Sequence, residues 1–295
     1  EVITTPLSWI TSATPITLLG AKPVFVDVKN DLNIDEKEIE KKITKRTKAI
    51  LPVHFTGNPC SINVIKKISK KYNLKLIEDC AQAFGTKLLN KYCGTFGDIG
   101  CFSLNPMKNL NASGEAGLVV TNSKKIYEKM KILRYAGTKN KTTCLYSSIN
   151  LKPDTIQTIF LDQSLKEFKN KIKLKNKFAN YYIKNLTKKV AVPFLGKKIT
   201  HTFYAFTILA NKRSKLINFL KNKKIETKIE HPILIPDQKA FIKYSKNLNL
   251  PNAKRLSKLI LSLPIHEYLK FKDLDYVIKN INTFYNVNKK RFSNY

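Results

Sequence analysis

A chain of 295 residues, 43% hydrophobic and 10% aromatic, holds enough apolar side chains for a sizeable core, which excludes global disorder. No apolar run reaches the length of a membrane span, and five scattered cysteines without a CxxC pair indicate neither a disulfide framework nor a zinc centre. The formal charge of +33 comes mainly from lysine, because arginine occurs only at Arg46, Arg134, Arg213, Arg255 and Arg291. Surfaces that read phosphates or bases favour the planar fork of arginine. The lysines are spread over solvated helix faces such as KKISKKY and LKEFKNKIKLKNK, so the charge reads as surface composition rather than a nucleic-acid site. It should still attract anionic substrates over long range. The opening EVITTP has no basic n-region, and a reducing, cytoplasmic setting is expected.

In chain order, the first half alternates short β-branched runs with helical segments. Strands are predicted at EVITTP, KPVFVDV, KAILPVHF, LKLIED, IGCFSL and GLVVTN. Helices are predicted at Trp9–Leu19, Asp35–Ile43, Ile62–Tyr72 and Lys124–Ala136. This alternation argues for an α/β domain with a mostly parallel sheet. After about Pro153 a long amphipathic helix, Thr155–Lys184, leads to a second unit. That unit comprises the strand FYAFTILA, a helix Ser214–Lys223, the segment IETKIEHP, and helices near Ala253–Leu261 and Lys272–Tyr285. The expected division is 1–160 for a large α/β domain and 161–295 for a linker helix with a small α+β domain.

Ligands of parallel α/β sheets bind beyond the carboxyl ends of strands. His54, Asp79 and Ser103 each close or follow a predicted strand, so they are expected to converge on one crevice. Gln82 follows Asp79 by three residues, and Lys108 follows Ser103 by five. The set suits pyridoxal phosphate chemistry. A lysine amine forms a Schiff base with the cofactor aldehyde, a carboxylate keeps the pyridine nitrogen protonated, and a hydroxyl and backbone N–H groups bind the phosphate.

The segments IEDCAQAFG, GTFGDIGCFSLNPMKNLN and GEAGLVVTN resemble the DegT/StrS family of sugar-nucleotide aminotransferases. Further resemblance runs in order through VITTPLSWITSATPITLLGAKPVFVDV, TKAILPVHFTGNP, ILRYAGTKNK, IETKIEHPILIPDQKAF and LSLPIHEYL, across essentially the whole chain. The resemblance implies the pyridoxal-phosphate-dependent transferase fold of type I, that of aspartate aminotransferase. In it the large mostly parallel sheet has helices on both faces, with a small C-terminal α+β domain. It also implies a homodimer and transfer of an amino group from glutamate to a keto-sugar nucleotide in amino-sugar or surface-polysaccharide biosynthesis. Residue by residue, it makes Lys108 the Schiff-base lysine and Asp79 the partner of the pyridinium nitrogen. Gln82 would flank the ring or reach its phenolic oxygen, Ser103 would bind phosphate, and Trp9 would stack on the ring. Asn150 would reach the phosphate of the partner subunit, and Tyr204 and His231 would contact the sugar. No metal is expected.

Some features depart from the family pattern. Relatives carry about fifty further residues before VITTP, including a Ser-Gly-Thr turn for the phosphate. This chain is therefore expected to be a fragment with weak cofactor affinity, and an inactive fragment is one alternative. A basic regulatory or nucleic-acid-binding protein is another. Lys152 stands where the family has Arg, with Pro153 after it, which alters the expected donor-carboxylate contact.

Overall fold

The computed structural model describes residues 1–193, 196 and 198–290. Six strands form the main sheet: β1 (Val2–Thr4), β2 (Pro23–Phe25), β3 (Ala49–Leu51), β4 (Lys75–Asp79), β5 (Ile99–Ser103) and β6 (Gly117–Val120). Their spatial order is β2-β1-β3-β4-β5-β6, with the first five parallel and β6 antiparallel. All six coincide with predicted runs. Helix α1 (Ile62–Lys71) shows how the sequence dictates the packing. Ile62, Ile65 and Ile68 recur at helical spacing and are buried against Ile3, Ile50 and Leu76 of the sheet, while Lys67, Lys70 and Lys71 stay in water. Helix α2 (Lys124–Arg134) starts at Ser123, whose hydroxyl accepts from the Ile126 N–H.

Helix α3 (Ile156–Asn185) leaves its first turns exposed and buries Phe178, Ala179 and Tyr182 near its end. These pack on a three-stranded antiparallel sheet of β7 (Val190–Ala191), β8 (Phe206–Ala210) and β9 (Ile260–Leu263), with β8 in the middle. Helices α4 (Arg213–Asn222) and α6 (Phe271–Lys290) close that core through Leu216, Leu220, Leu274 and Ile281. A third cluster joins the two halves of the chain: Leu234, Ile235, Phe241 and Leu256 pack with Leu7, Phe25 and Phe55. The Asp27 carboxylate accepts from the Asn252 and Ala253 N–H groups, at 2.9 and 2.8 Å, near the start of α5 (Pro251–Ser257). An anion there satisfies N–H groups that have no partner inside the helix.

The structure corrects several element assignments. The predicted helix Trp9–Leu19 divides into a 3-10 turn, Ile10–Ser12, and a short helix, Thr14–Leu18. Pro15 lacks the N–H that a continuous helix would use there, and it fits a helix start instead. The helix expected near Ala253–Leu261 ends at Ser257, and Ile260–Leu263 is strand. A short apolar run is ambiguous by periodicity, and pairing with β8 decides it. The segment IETKIEHP contributes a single bridge, Lys228 to Ser262, rather than a strand. Among the described residues no helix is long and apolar enough to cross a membrane.

Candidate active site

A cavity of about 490 Å³ opens at the carboxyl ends of β4 and β5, and its walls include Trp9, Asp79, Gln82, Ser103, Lys108, Tyr204 and His231. Seven predicted site residues, drawn from positions 9 to 231, therefore meet. Asp79 closes β4 and Ser103 closes β5, so paired parallel strands deliver both side chains to one edge. Two predicted residues lie elsewhere. Asn150 is exposed on a segment bridged to Tyr135 and does not line the cavity. His54 is fully buried behind it, so the expected convergence of His54 with Asp79 and Ser103 fails.

Each wall residue is held by its neighbours. Asp79 Oδ2 accepts from the Ser12 hydroxyl at 2.7 Å, and Ser12 is itself 2.8 Å from Ser8 Oγ. Asp79 Oδ1 accepts from the Ala81 N–H at 3.0 Å. Gln82 Oε1 accepts from the Thr56 N–H at 2.6 Å, and its Nε2 lies 3.4 Å from His231 Nε2. The His231 backbone has φ +51°, a left-handed conformation that costs a non-glycine residue about 1–3 kcal/mol and clusters at functional sites. The His231 ring lies against Phe55 and Trp9, with centroids at 5.6 and 6.1 Å. Trp9 is 58% exposed, an unusual place for the chain's sole tryptophan unless something covers it.

Lys108 projects into the cavity with Nζ 4.6 Å from the centroid of the Tyr204 ring. Its loop is pinned from behind. Asn109 donates to the Thr202 carbonyl at 3.0 Å and accepts from the buried Lys175 ammonium at 2.8 Å. Burial pushes the Lys108 amine below the usual lysine range, with Asp79 and Glu230 opposing that shift. The free-base fraction needed for nucleophilic work is thereby raised. Burial, with Glu230 adding, pushes Tyr204 up to about 12. Burial, with Lys228 and Lys108 adding, brings His231 down to about 4, so its ring is neutral near pH 7.

Glu78, the residue before Asp79, points the other way, as alternation along a strand requires. Its Oε1 accepts from the Phe96 and Gly97 N–H groups, both at 2.7 Å. Its Oε2 accepts from the Gly94 N–H at 2.8 Å and lies 3.1 Å from His54 Nε2. Gly94 has φ +88°, which the loop needs to aim that N–H. His54 Nδ1 accepts from the Cys60 N–H at 3.1 Å, which assigns the proton to Nε2. Burial pushes the Glu78 carboxyl up, but the hydrogen bonds from His54 and from the Gly94 and Gly97 N–H groups outweigh it and leave it lowered. His54, Glu78 and Cys80 are close enough together to hold a metal ion. The His54 and Glu78 lone pairs are already committed to hydrogen bonds, and burial pushes the Cys80 thiol up to about 12, so this is a structural network.

Sequence reasoning missed Ser12, Glu115, Lys228 and Glu230, all of which line the cavity. Nothing in one sequence announces them, because what each side chain faces depends on tertiary packing. Lys152 lies over the Tyr135 ring, 4.2 Å from its centroid, and not in the cavity.

At the ends of paired parallel strands, then, a lysine, a carboxylate and an aromatic ring converge on one cavity. Residues 1–282 match the DegT/DnrJ/EryC1/StrS aminotransferase family, and the chain belongs to that family. It is 35% identical over 291 residues to the "Pleiotropic regulatory protein" of Geobacillus stearothermophilus, covering 97% of this chain and 78% of that one. It is likewise 35% identical to the GDP-perosamine synthase of Escherichia coli O157:H7, covering 97% and 79%. Its fold superposes with a TM-score of 0.86 on NtdA of Bacillus subtilis, solved with the cofactor PMP bound. That match is 26% identical and covers 95% of this chain and 67% of that one.

Proposed function

We propose that the chain is a pyridoxal-phosphate-dependent aminotransferase that moves an amino group from glutamate to a keto-sugar carried on a nucleotide. The observation that carries this reading is the meeting of Lys108 and Asp79 in one cavity of suitable size. The residues fit the cofactor. Asp79 presents a carboxylate braced by Ser12, the Ser103 hydroxyl is available for phosphate, and Trp9 offers a ring face. When bound, pyridoxal phosphate supplies an aldehyde that condenses with amines and a cationic ring that absorbs an electron pair. Asp79 keeps the proton on the ring nitrogen. Gln82, fixed by the Thr56 N–H, flanks the ring. Lys108 would hold the cofactor covalently and, as a free amine, would take the proton from the donor's Cα. The neutral His231 and Tyr204 line the side where the sugar enters.

The working division at residue 160 assigns these duties: the first part holds the cofactor, and the second supplies Tyr204 and His231. A homodimer is part of the proposal. Leu145, Ile149, Leu151, Ile156, Ile159 and Phe160 form an exposed apolar stretch around Asn150, the kind of surface a partner covers. Asn150 would there serve the partner's phosphate. Free cysteines, three of them buried, support a cytoplasmic setting. Amino-sugar and surface-polysaccharide synthesis is the process such a reaction would feed.

The test is the first half-reaction. Protein loaded with pyridoxal phosphate and mixed with glutamate should lose the visible absorbance of the bound cofactor and release one 2-oxoglutarate per site. No spectral change with glutamate or other amino donors would reject the reading.

A further inference from the structure

A second cavity, about 630 Å³, adjoins the first, and the two share Met107, Tyr204, Lys228 and Glu230 in their walls. These four residues form a waist between the cavities. Glu230 is the unusual member, because it is 4% exposed yet poorly partnered. Among the described residues its carboxylate has one polar contact, the Lys228 ammonium at 3.5 Å, and that lysine side chain is 55% exposed. Glu78, equally buried, has four donors around it. A buried carboxylate seeks strong donors, and one left with a single long contact beside a cavity is positioned to accept from a ligand.

The next step rests on the proposed function. The acceptor's keto carbon must reach Lys108 in the first cavity, and a nucleotide is too large to share that space with the cofactor. Extending the nucleotide into the second cavity would carry the sugar across the waist. We propose that Glu230 is a specificity residue that accepts a hydrogen bond from a sugar hydroxyl and disfavours acceptors carrying a carboxylate on the sugar. The acceptor class is thus a neutral, hydroxylated keto-sugar nucleotide. A hydroxyl in the waist supplies the missing donor. A carboxylate there brings a like charge against Glu230 and offers it no donor.

UDP-glucose and UDP-glucuronate test this, since they differ only in a hydroxymethyl against a carboxylate on the sugar and undergo no turnover. Binding to the cofactor-loaded protein is read from the fluorescence of Trp9, with UDP as reference. Wild type should bind UDP-glucose about tenfold or more tightly than UDP-glucuronate, a difference of about 1.4 kcal/mol. Glu230→Gln should bring the ratio to within about twofold and leave UDP affinity within about twofold, which a merely structural effect would not do. Equal binding of both sugars by wild type, an unchanged ratio in E230Q, or binding of UDP alone would overturn the proposal. The glutamate half-reaction of the wild type is run alongside: its failure rejects the aminotransferase reading, whereas its success with no selectivity rejects only the role of Glu230.

Discussion

Glu78 and Asp79 are adjacent carboxylates on one strand, and they face opposite sides of it. Glu78 faces inward, is enclosed by His54 and three backbone N–H groups, and has no capacity left for a ligand. Asp79 faces the cavity with Ser12 and Ala81 as its partners, and lines the space that Lys108 enters. The comparison teaches that chemistry follows the face of the strand rather than the residue type. On this strand the inward carboxylate belongs to the frame, and the outward one lines the cavity.

The largest effect expected from this division lies on the cavity side. Lys108→Ala should abolish transamination by several orders of magnitude while the protein still folds, measured as turnover and by circular dichroism. Near-normal turnover without added amine would remove Lys108 from its role. Asp79→Asn should cost about a hundredfold in rate, or about 2.7 kcal/mol in barrier, with little change in melting temperature, because the amide cannot hold the ring nitrogen protonated. A loss within threefold would place Asp79 with the frame.

Glu78→Gln should invert that pattern. Its amide turns donors toward donors, and the fold should lose about 1–3 kcal/mol in a denaturant titration. The pH dependence sharpens the point. The folded state holds the Glu78 carboxyl below its ordinary value, so its contribution is present above the ordinary carboxylate range and disappears as the pH falls through the folded value. The stability gap between wild type and E78Q should therefore be full near neutrality and shrink below about pH 4. A gap that widens on acidification would contradict the His54 pairing. The smallest effect is Ser12→Ala, which removes one hydrogen bond from Asp79 and should slow the half-reaction with glutamate by less than about tenfold.

Much of this was legible in the sequence, for physical reasons. Short β-branched runs located all six strands of the main sheet, and parallel packing placed their ends together, so Asp79 and Ser103 were readable as neighbours. Lys108 was readable from its spacing and from the family resemblance. The His54 position was read correctly as a strand end but assigned to the wrong layer, because one residue of register decides whether a side chain faces the frame or the cavity. Glu230 and Ser12 escaped notice because tertiary packing decides what their side chains face, and Asn150 lies away from this chain's own cavity. The β9 run escaped because four apolar residues fit either a helix or a strand until β8 is known.

The central claim is that one lysine, in one cavity, carries the cofactor. Reduction of the pyridoxal-phosphate-loaded protein with borohydride fixes the cofactor to whichever lysine holds it, and mass analysis of the peptides identifies the residue. The account predicts a single modified site at Lys108, protected when glutamate is added first. Modification spread over the exposed lysines, or concentrated on a different one, would contradict it.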